Sequence, residues 1–367
     1  MFRVLNYGGN LPRLFSMFYS PIDNRDGTFD LIIIDRDDLQ DSMDDVIKYC
    51  HKDTTILVDI VSESGCISDF FNKYNKVVST FKSYKFVLIS DFDSPIRKEY
   101  SNSTVLIKRE LSNFCFFGMP YTDSYWDCFD LQPDRGRDNS IMCFNGSTRI
   151  SRVLLLSHFL KNDLIDKIKC SFKFYDHHDT SKLNESVYVE LVDALFNSKY
   201  ISKSEHKQLL DYKSYLPLHY DNFEMANRKV KQEVYSSIFN VVTENTYGDF
   251  CCYDIKDTNT FTEKTLKPFM MEQIPIFVAQ PYHVELLRDI GYDVFDDIID
   301  HSYDEEPDEK KRMELIIEEI KKTLDKDGAF FYYNNRQRFL HNRELTYQHT
   351  HDGYKYLKQF LIENNLF

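Results

Sequence analysis

The sequence predicts an α/β protein built on parallel sheets in two domains, and three observations lead there. Short apolar, β-rich bursts recur, among them Phe29-Asp30-Leu31-Ile32-Ile33-Ile34, residues 85–90 and Ile274-Pro275-Ile276-Phe277, each closed by a polar turn. They alternate with helical stripes such as Met313, Ile316, Ile317 and Ile320, and strands separated by single helices pair in parallel through right-handed crossovers. A chain of 367 residues is long enough for two cores of ordinary size.

In chain order, Arg3-Val4-Leu5-Asn6-Tyr7 reads as a first strand, followed by a turn at Gly8-Gly9. Residues 29–34 are a buried strand, and 42–50 a helix with Met43, Val46 and Ile47 on one face. A third strand, 54–61, ends in Ser62-Glu63-Ser64-Gly65, and a fourth, 85–90, in Asp91-Phe92-Asp93-Ser94-Pro95. This alternation predicts a doubly wound domain over 1–126. Residues 127–140, with Gln132-Pro133-Asp134-Arg135-Gly136-Arg137, lack apolar periodicity and read as a linker.

The second domain, 141–345, opens with the strand Ile141-Met142-Cys143-Phe144. It runs through Asn145-Gly146-Ser147-Thr148-Arg149 into a helix bearing Val153, Leu154, Leu156 and Phe159. A glycine-containing turn between strand and helix, flanked by Arg149 and Arg152, is a natural anion cradle; the plainer reading makes both arginines surface charges. Asp176-His177-His178-Asp179 reads as an exposed loop, because neighbouring residues point in different directions while metal ligands converge. Residues 187–235 look helical, interrupted near Tyr215-Leu216-Pro217.

The stretch 237–292 organises the rest. A strand at 238–242 releases Glu244 and Asn245 into a polar loop. Thr262 caps a helix carrying Glu263, Lys264, Leu266, Phe269 and Met270, and a buried strand at 274–279 follows. Then come a helix at 282–290, a strand at Gly291-Tyr292-Asp293-Val294-Phe295, an acidic rim at 296–308 and a helix at 309–324. Residues 335–367 read as two helices, the last (346–367) either crossing back to the first domain or capping its own.

In parallel sheets ligands sit beyond the carboxyl ends of the strands, where helix N-termini face anions. Glu244, Asn245, Glu263 and Lys264 fall there. A carboxylate can accept from sugar hydroxyls and the adjacent lysine can pair with phosphate, which suits a nucleotide-sugar. The ordinary alternative is a capped helix with a solvated ion pair.

Glu244-Asn245, then Phe261-Thr262-Glu263-Lys264, then Ile274-Pro275-Ile276, resemble the donor-binding signature of the fucosyltransferase-like GT-B glycosyltransferases, including phage and large-virus enzymes. The resemblance covers about a third of the chain. It implies two Rossmann-like domains facing across a cleft and an inverting, metal-independent sugar transfer, with Glu263 and Lys264 meeting the donor's ribose and phosphates. Asn145, Arg149 and Arg152 loosely match the asparagine and arginine that follow the corresponding strand in that family. The chain departs from the pattern at Ala279-Gln280-Pro281, where the family has a small residue, which leaves the sugar and base open. No cofactor is implied, the nucleotide-sugar being a substrate, GDP- or UDP-linked.

An inverting transfer needs one carboxylate to take the acceptor proton while the leaving diphosphate is neutralised. Glu63 is the first candidate base, then Asp93 and Asp91. A retaining enzyme would show a second glutamate seven residues after Glu263, and Met271 stands there. Two further readings stay open. Ile34-Asp35-Arg36-Asp37 and Ser90-Asp91-Phe92-Asp93 could each be the Asp-x-Asp of a metal-dependent GT-A enzyme, although aspartates after strands are common turn formers. A non-catalytic sugar-nucleotide or glycan-binding viral protein would share the donor pocket. The acceptor is expected to be a glycan, a protein or a hydroxymethylated DNA base, the last needing a basic cleft from Lys82, Lys85, Arg97, Lys98, Lys108 and Arg109.

Composition narrows the classes. A net charge of −14 argues against a surface that grips nucleic acid throughout. Eight cysteines without a C-x-x-C pair predict reduced thiols rather than zinc. No stretch is apolar enough to span a bilayer and the start lacks a signal peptide's apolar region, so no membrane insertion and a cytoplasmic location are expected. Thirty Phe and 25 Tyr against few Gly and Pro fit an AT-rich coding genome, viral or low-GC bacterial.

Overall fold

Two parallel sheets carry the fold. The computed structural model describes residues 4–7, 29–34, 46–59, 79–80, 83–90, 103–107, 136–175, 183–218, 236–244 and 263–363. The chain divides into two compact units: Met1–Trp126, Asp249–Glu263 and Tyr347–Phe367 form one, Asp127–Gly248 and Lys264–Thr346 the other.

The first unit holds β1 (Val4–Tyr7), β2 (Phe29–Ile34), β3 (Cys50–Asp59), β4 (Lys85–Ser90) and β5 (Ser103–Ile107). All pair in parallel, in the order β1-β2-β3-β4-β5. Ile32 and Ile56 lie in register on neighbouring strands, on one face of the sheet, and are fully buried. Two expectations are corrected here. Double winding requires the strand order to reverse, and these strands follow one another without reversal. In addition, Cys50 opens a strand instead of ending a helix: a register shift separates the pairs Phe29–Cys50 and Leu31–Thr55, and the Thr54 hydroxyl accepts from the His51 N–H at 2.7 Å.

The second unit holds β6 (Asp138–Ser147), β7 (Lys169–Tyr175), β8 (Ser237–Thr243) and β9 (Ile274–Val278), all parallel, in the order β7-β6-β8-β9. β8 and β9 are buried along their whole length, because helices cover both faces. α1 (Ile150–Lys161) is buried from Ser151 to Phe159. The sheet takes one side of it, and α2 (Glu185–Asn197) and α3 (Lys203–Tyr212) cover the rest. After α4 (Glu263–Met270) and α5 (His283–Asp289), α6 (Glu309–Leu324) packs against β9 and β6, with Met313, Ile316, Ile317 and Ile320 at 2% exposure or less. α7 (Gly328–Asn334) approaches β8 so closely that a Cβ on Gly328 would lie 2.5 Å from the Phe239 ring.

Three further expectations change. β6 begins at Asp138, inside the expected linker. The side chains at this end are polar and satisfy one another: Lys169 Nζ meets Asp138 at 2.9 Å and Ser140 Oγ meets Ser237 Oγ at 2.7 Å. Burial of apolar residues therefore gives no signal there. Residues 291–295 are not a strand. Gly291, at φ +97°, ends α5, with the Tyr292 N–H reaching back to Leu287 O. Asn342 then takes the place of a neighbouring strand: its Oδ1 accepts from Asp293 N at 2.8 Å and its amide donates to Asp293 O at 2.6 Å. Asn342 belongs to the third departure, α8 (Arg336–Glu363), one 28-residue helix where two were expected.

Candidate functional site

The order β7-β6-β8-β9 contains one reversal. From β6 the chain steps outward to β7, then crosses back over β6 to β8 and continues to β9. Connections leave β6 and β8 in opposite directions, and in open α/β sheets the crevice beyond the carboxyl ends at such a reversal is the usual ligand position.

What the sequence puts at this crevice is polar and buried. Asn145, near the end of β6, is 1% exposed; its Oδ1 accepts from the Thr243 hydroxyl at the end of β8, and its amide donates to Cys143 Sγ at 3.3 Å. Arg152, in the first turn of α1 and 3% exposed, donates Nε to the same Thr243 oxygen at 3.3 Å. Strand β6, strand β8 and helix α1 are thus tied together by one hydroxyl. Arg149 is the N-cap residue of α1. Its backbone is extended and its carbonyl accepts from the Arg152 and Val153 N–H groups, both at 3.1 Å, but its side chain caps nothing. Arg149 Nε and Thr148 Oγ1 are both shielded from solvent and have no hydrogen-bond partner among the described residues. A buried guanidinium N–H left unmatched costs about 1–3 kcal/mol, and an anion at the helix N-terminus is the partner that such a donor takes.

The second half of the crevice is built from β8, α4 and α5. Glu244 continues the β8–β9 ladder through its N–H to Val278 O at 3.0 Å, and it is 1% exposed. Its carboxylate accepts from the Thr265 hydroxyl, whose oxygen lies 3.1 Å from His283 Nε2. Since the single hydroxyl proton goes to the carboxylate, Nε2–H of His283 donates to Thr265. Burial drives the His283 pKa down to about 4, against the opposing pull of Glu244. The imidazole is therefore neutral near pH 7, with its one proton on Nε2. This chain of groups fastens the first turn of α4, and with it half-buried Lys264, to the end of β8.

Asn145, Arg149, Arg152, Glu244 and Lys264 therefore gather around one sheet edge. The structure gives Glu244 an inward-facing carboxylate. Glu263 is described only through its backbone, as the first residue of α4. Thr262, Asn245, Glu63, Asp91 and Asp93 lie outside the described residues, as do the acids of both Asp-x-Asp stretches and Asp176-His177-His178-Asp179. Sequence reasoning missed Thr148, Thr243, Thr265 and His283. Thr243 carried a faint signal as the polar residue closing an apolar strand, but isolated threonines and a histidine beside a strand are too common to single out.

At the opposite edge, Glu272 precedes β9. Its carboxylate accepts from the Tyr332 hydroxyl and from Arg343 Nη1 at 3.2 Å, with Arg137 Nη2 at 3.7 Å. Arg137 also lies over the Tyr332 ring, 4.6 Å from its centroid. One carboxylate serves two guanidiniums, and Arg137 Nη2 also donates to Met271 O at 3.0 Å, so the group holds β9, α7 and α8 together.

Comparison with protein-family models, with curated proteins and with solved structures finds no match. Among the described residues no helix is long and apolar enough to cross a membrane, and no group of three His, Cys, Asp or Glu could hold a metal ion.

Proposed function

We propose that the crevice beyond β6 and β8 binds the diphosphate of a nucleotide-sugar, and that the protein is a GT-B-type glycosyltransferase, inverting and metal-independent. The observation that carries this reading is the unmatched, shielded Arg149 Nε beside Thr148 Oγ1 at the start of α1, at the one point where the strand order reverses. Arg149 and the α1 N-terminus neutralise the diphosphate, and Lys264 adds a second cation. Arg152, Asn145 and Thr243 fix the distance between the two strand ends. Glu244, through Thr265 and His283, positions α4 so that Glu263 and Lys264 face the donor. Glu63, with Asp93 and Asp91 as alternatives, takes the proton of the acceptor hydroxyl, on a glycan or a hydroxymethylated DNA base. The sequence resemblance supports this assignment of roles.

A panel of GDP-, UDP- and CMP-linked sugars tests it. A ligand bound only by the folded state raises the melting temperature, and the reading requires one donor class to do so and to be turned over with an acceptor. Binding without hydrolysis or transfer across the whole panel would leave a sugar-nucleotide-binding module. No stabilisation by any nucleotide diphosphate would remove the proposal altogether.

A further inference from the structure

The far end of α1 meets a second concavity. A cleft of about 680 Å³ opens between the last turn of α1, the segment entering α3 and the first turn of α6, lined by His158, Lys161, Lys199, Glu205, Lys310 and Glu314 among others. His158 is 6% exposed, and its ring has no hydrogen-bond partner among the described residues. Lys161 is paired with Glu205 at 2.9 Å, whereas Lys199 and Lys310 are exposed and make no ion pair among the described residues. Burial, reinforced by the Lys161, Lys310 and Lys321 ammonium groups against Glu205, holds the His158 pKa down to about 4. The ring is neutral near pH 7 and keeps one N–H to donate. Three ammonium groups, of Lys161, Lys199 and Lys310, and three carboxylates, of Asp163, Glu205 and Glu314, line the cleft; with Lys161 and Glu205 taken up by each other, Lys199 and Lys310 are the cations left beside the ring.

We propose that this cleft is a binding site for a small phosphate-bearing molecule, held by the Lys199 and Lys310 ammonium groups and the His158 N–H. A phosphoryl group suits donors arriving from three separate elements because its oxygens accept from several directions at once. A concavity of this size is within the range of small-molecule sites. The cleft and the crevice stand at opposite ends of α1, roughly 18 Å of helix for its 12 residues, so the second site does not depend on what the first one binds.

The test is a calorimetric titration of inorganic phosphate into the full chain carrying Arg149→Ala, which silences the crevice. Saturable binding is expected to remain, and to weaken at least tenfold when Lys199→Ala and Lys310→Ala are added. Both lysines are exposed, so the fold tolerates their loss. His158→Gln, which keeps a donor at the cleft, is expected to weaken binding less than the lysine pair does. Absence of saturable binding in the Arg149→Ala protein overturns the proposal, and so does an affinity changed less than threefold by loss of both lysines.

Discussion

The two sheets share their parallel pairing and differ in strand order. Both are parallel, and both put apolar side chains in register across neighbouring strands, as Ile32 with Ile56 in one and Val241 with Ile276 in the other. In the first the strands lie side by side in the order of the chain; in the second the order reverses between β6 and β8. The reversal decides where chemistry can sit. In an open α/β sheet a reversal parts the connections and exposes helix and strand ends to a ligand. The polar groups buried at the second sheet's carboxyl edge, Asn145, Arg152, Thr243 and Glu244, are located at that parting.

The sharpest way to break this comparison is Arg149→Ala. Loss of a shielded, charge-assisted contact to the diphosphate is expected to weaken binding of a nucleoside diphosphate about 100-fold, on the order of 3 kcal/mol. Calorimetry checks it, and an affinity within threefold of the unaltered protein would mean that the reversal point is not the donor site.

Acidification addresses the second half of the crevice. With His283 held to a pKa of about 4 against about 6.5 in the unfolded chain, the unfolded state takes up a proton between these values and the folded state does not. Stability is therefore complete above pH 6.5 and is lost as the pH falls towards 4, by on the order of 3 kcal/mol from this group. Urea melts across that range should show a shallower loss for His283→Gln. An unchanged slope would remove the buried relay through Thr265.

Gly328→Ala separates the sheets as folding units. The added methyl would meet Phe239 and Ile238 at 2.5 and 2.8 Å, costing about 1–3 kcal/mol. Scanning calorimetry should show the second unit melting earlier, and an unshifted trace would contradict the close approach of α7 to β8.

Lys264→Ala is expected to weaken nucleotide binding about tenfold, or about 1.4 kcal/mol, whereas Glu63→Ala leaves binding unchanged and removes transfer. Equal effects of the two on affinity would end that division of labour. The smallest expected effect is that of EDTA, which should leave transfer unchanged; loss of transfer restored by Mn²⁺ would favour the metal-dependent reading.

Much of the second unit was legible because its elements bury continuous or periodic apolar sets. The bounds of α6 follow from Asp308, which caps it by accepting from the Lys311 N–H at 2.7 Å, and from the buried stripe Met313 to Ile320. β2, β4 and the turn from β6 into α1 were readable in the same way. The strand read at 291–295 failed because Tyr292, Val294 and Phe295 are buried without a β partner. An apolar run reports burial, and Asn342, some 50 residues later in the chain, decides what buries it. The site divides likewise. Arg149, Arg152, Asn145 and Lys264 were visible as cations and an amide beside strand ends. Thr243, Thr265 and His283 act through partners 98, 21 and 18 residues away, and no local pattern records such a pairing.

By itself the sequence determined most of the strands and helices and which charged residues stand at their ends, since both follow from side chains within a few positions of one another. The order of the strands, and so the location of the crevice, was decided only in the tertiary structure. A crossover can step to either side of a strand with the same local conformation, and the choice is made by which faces of distant elements bury one another.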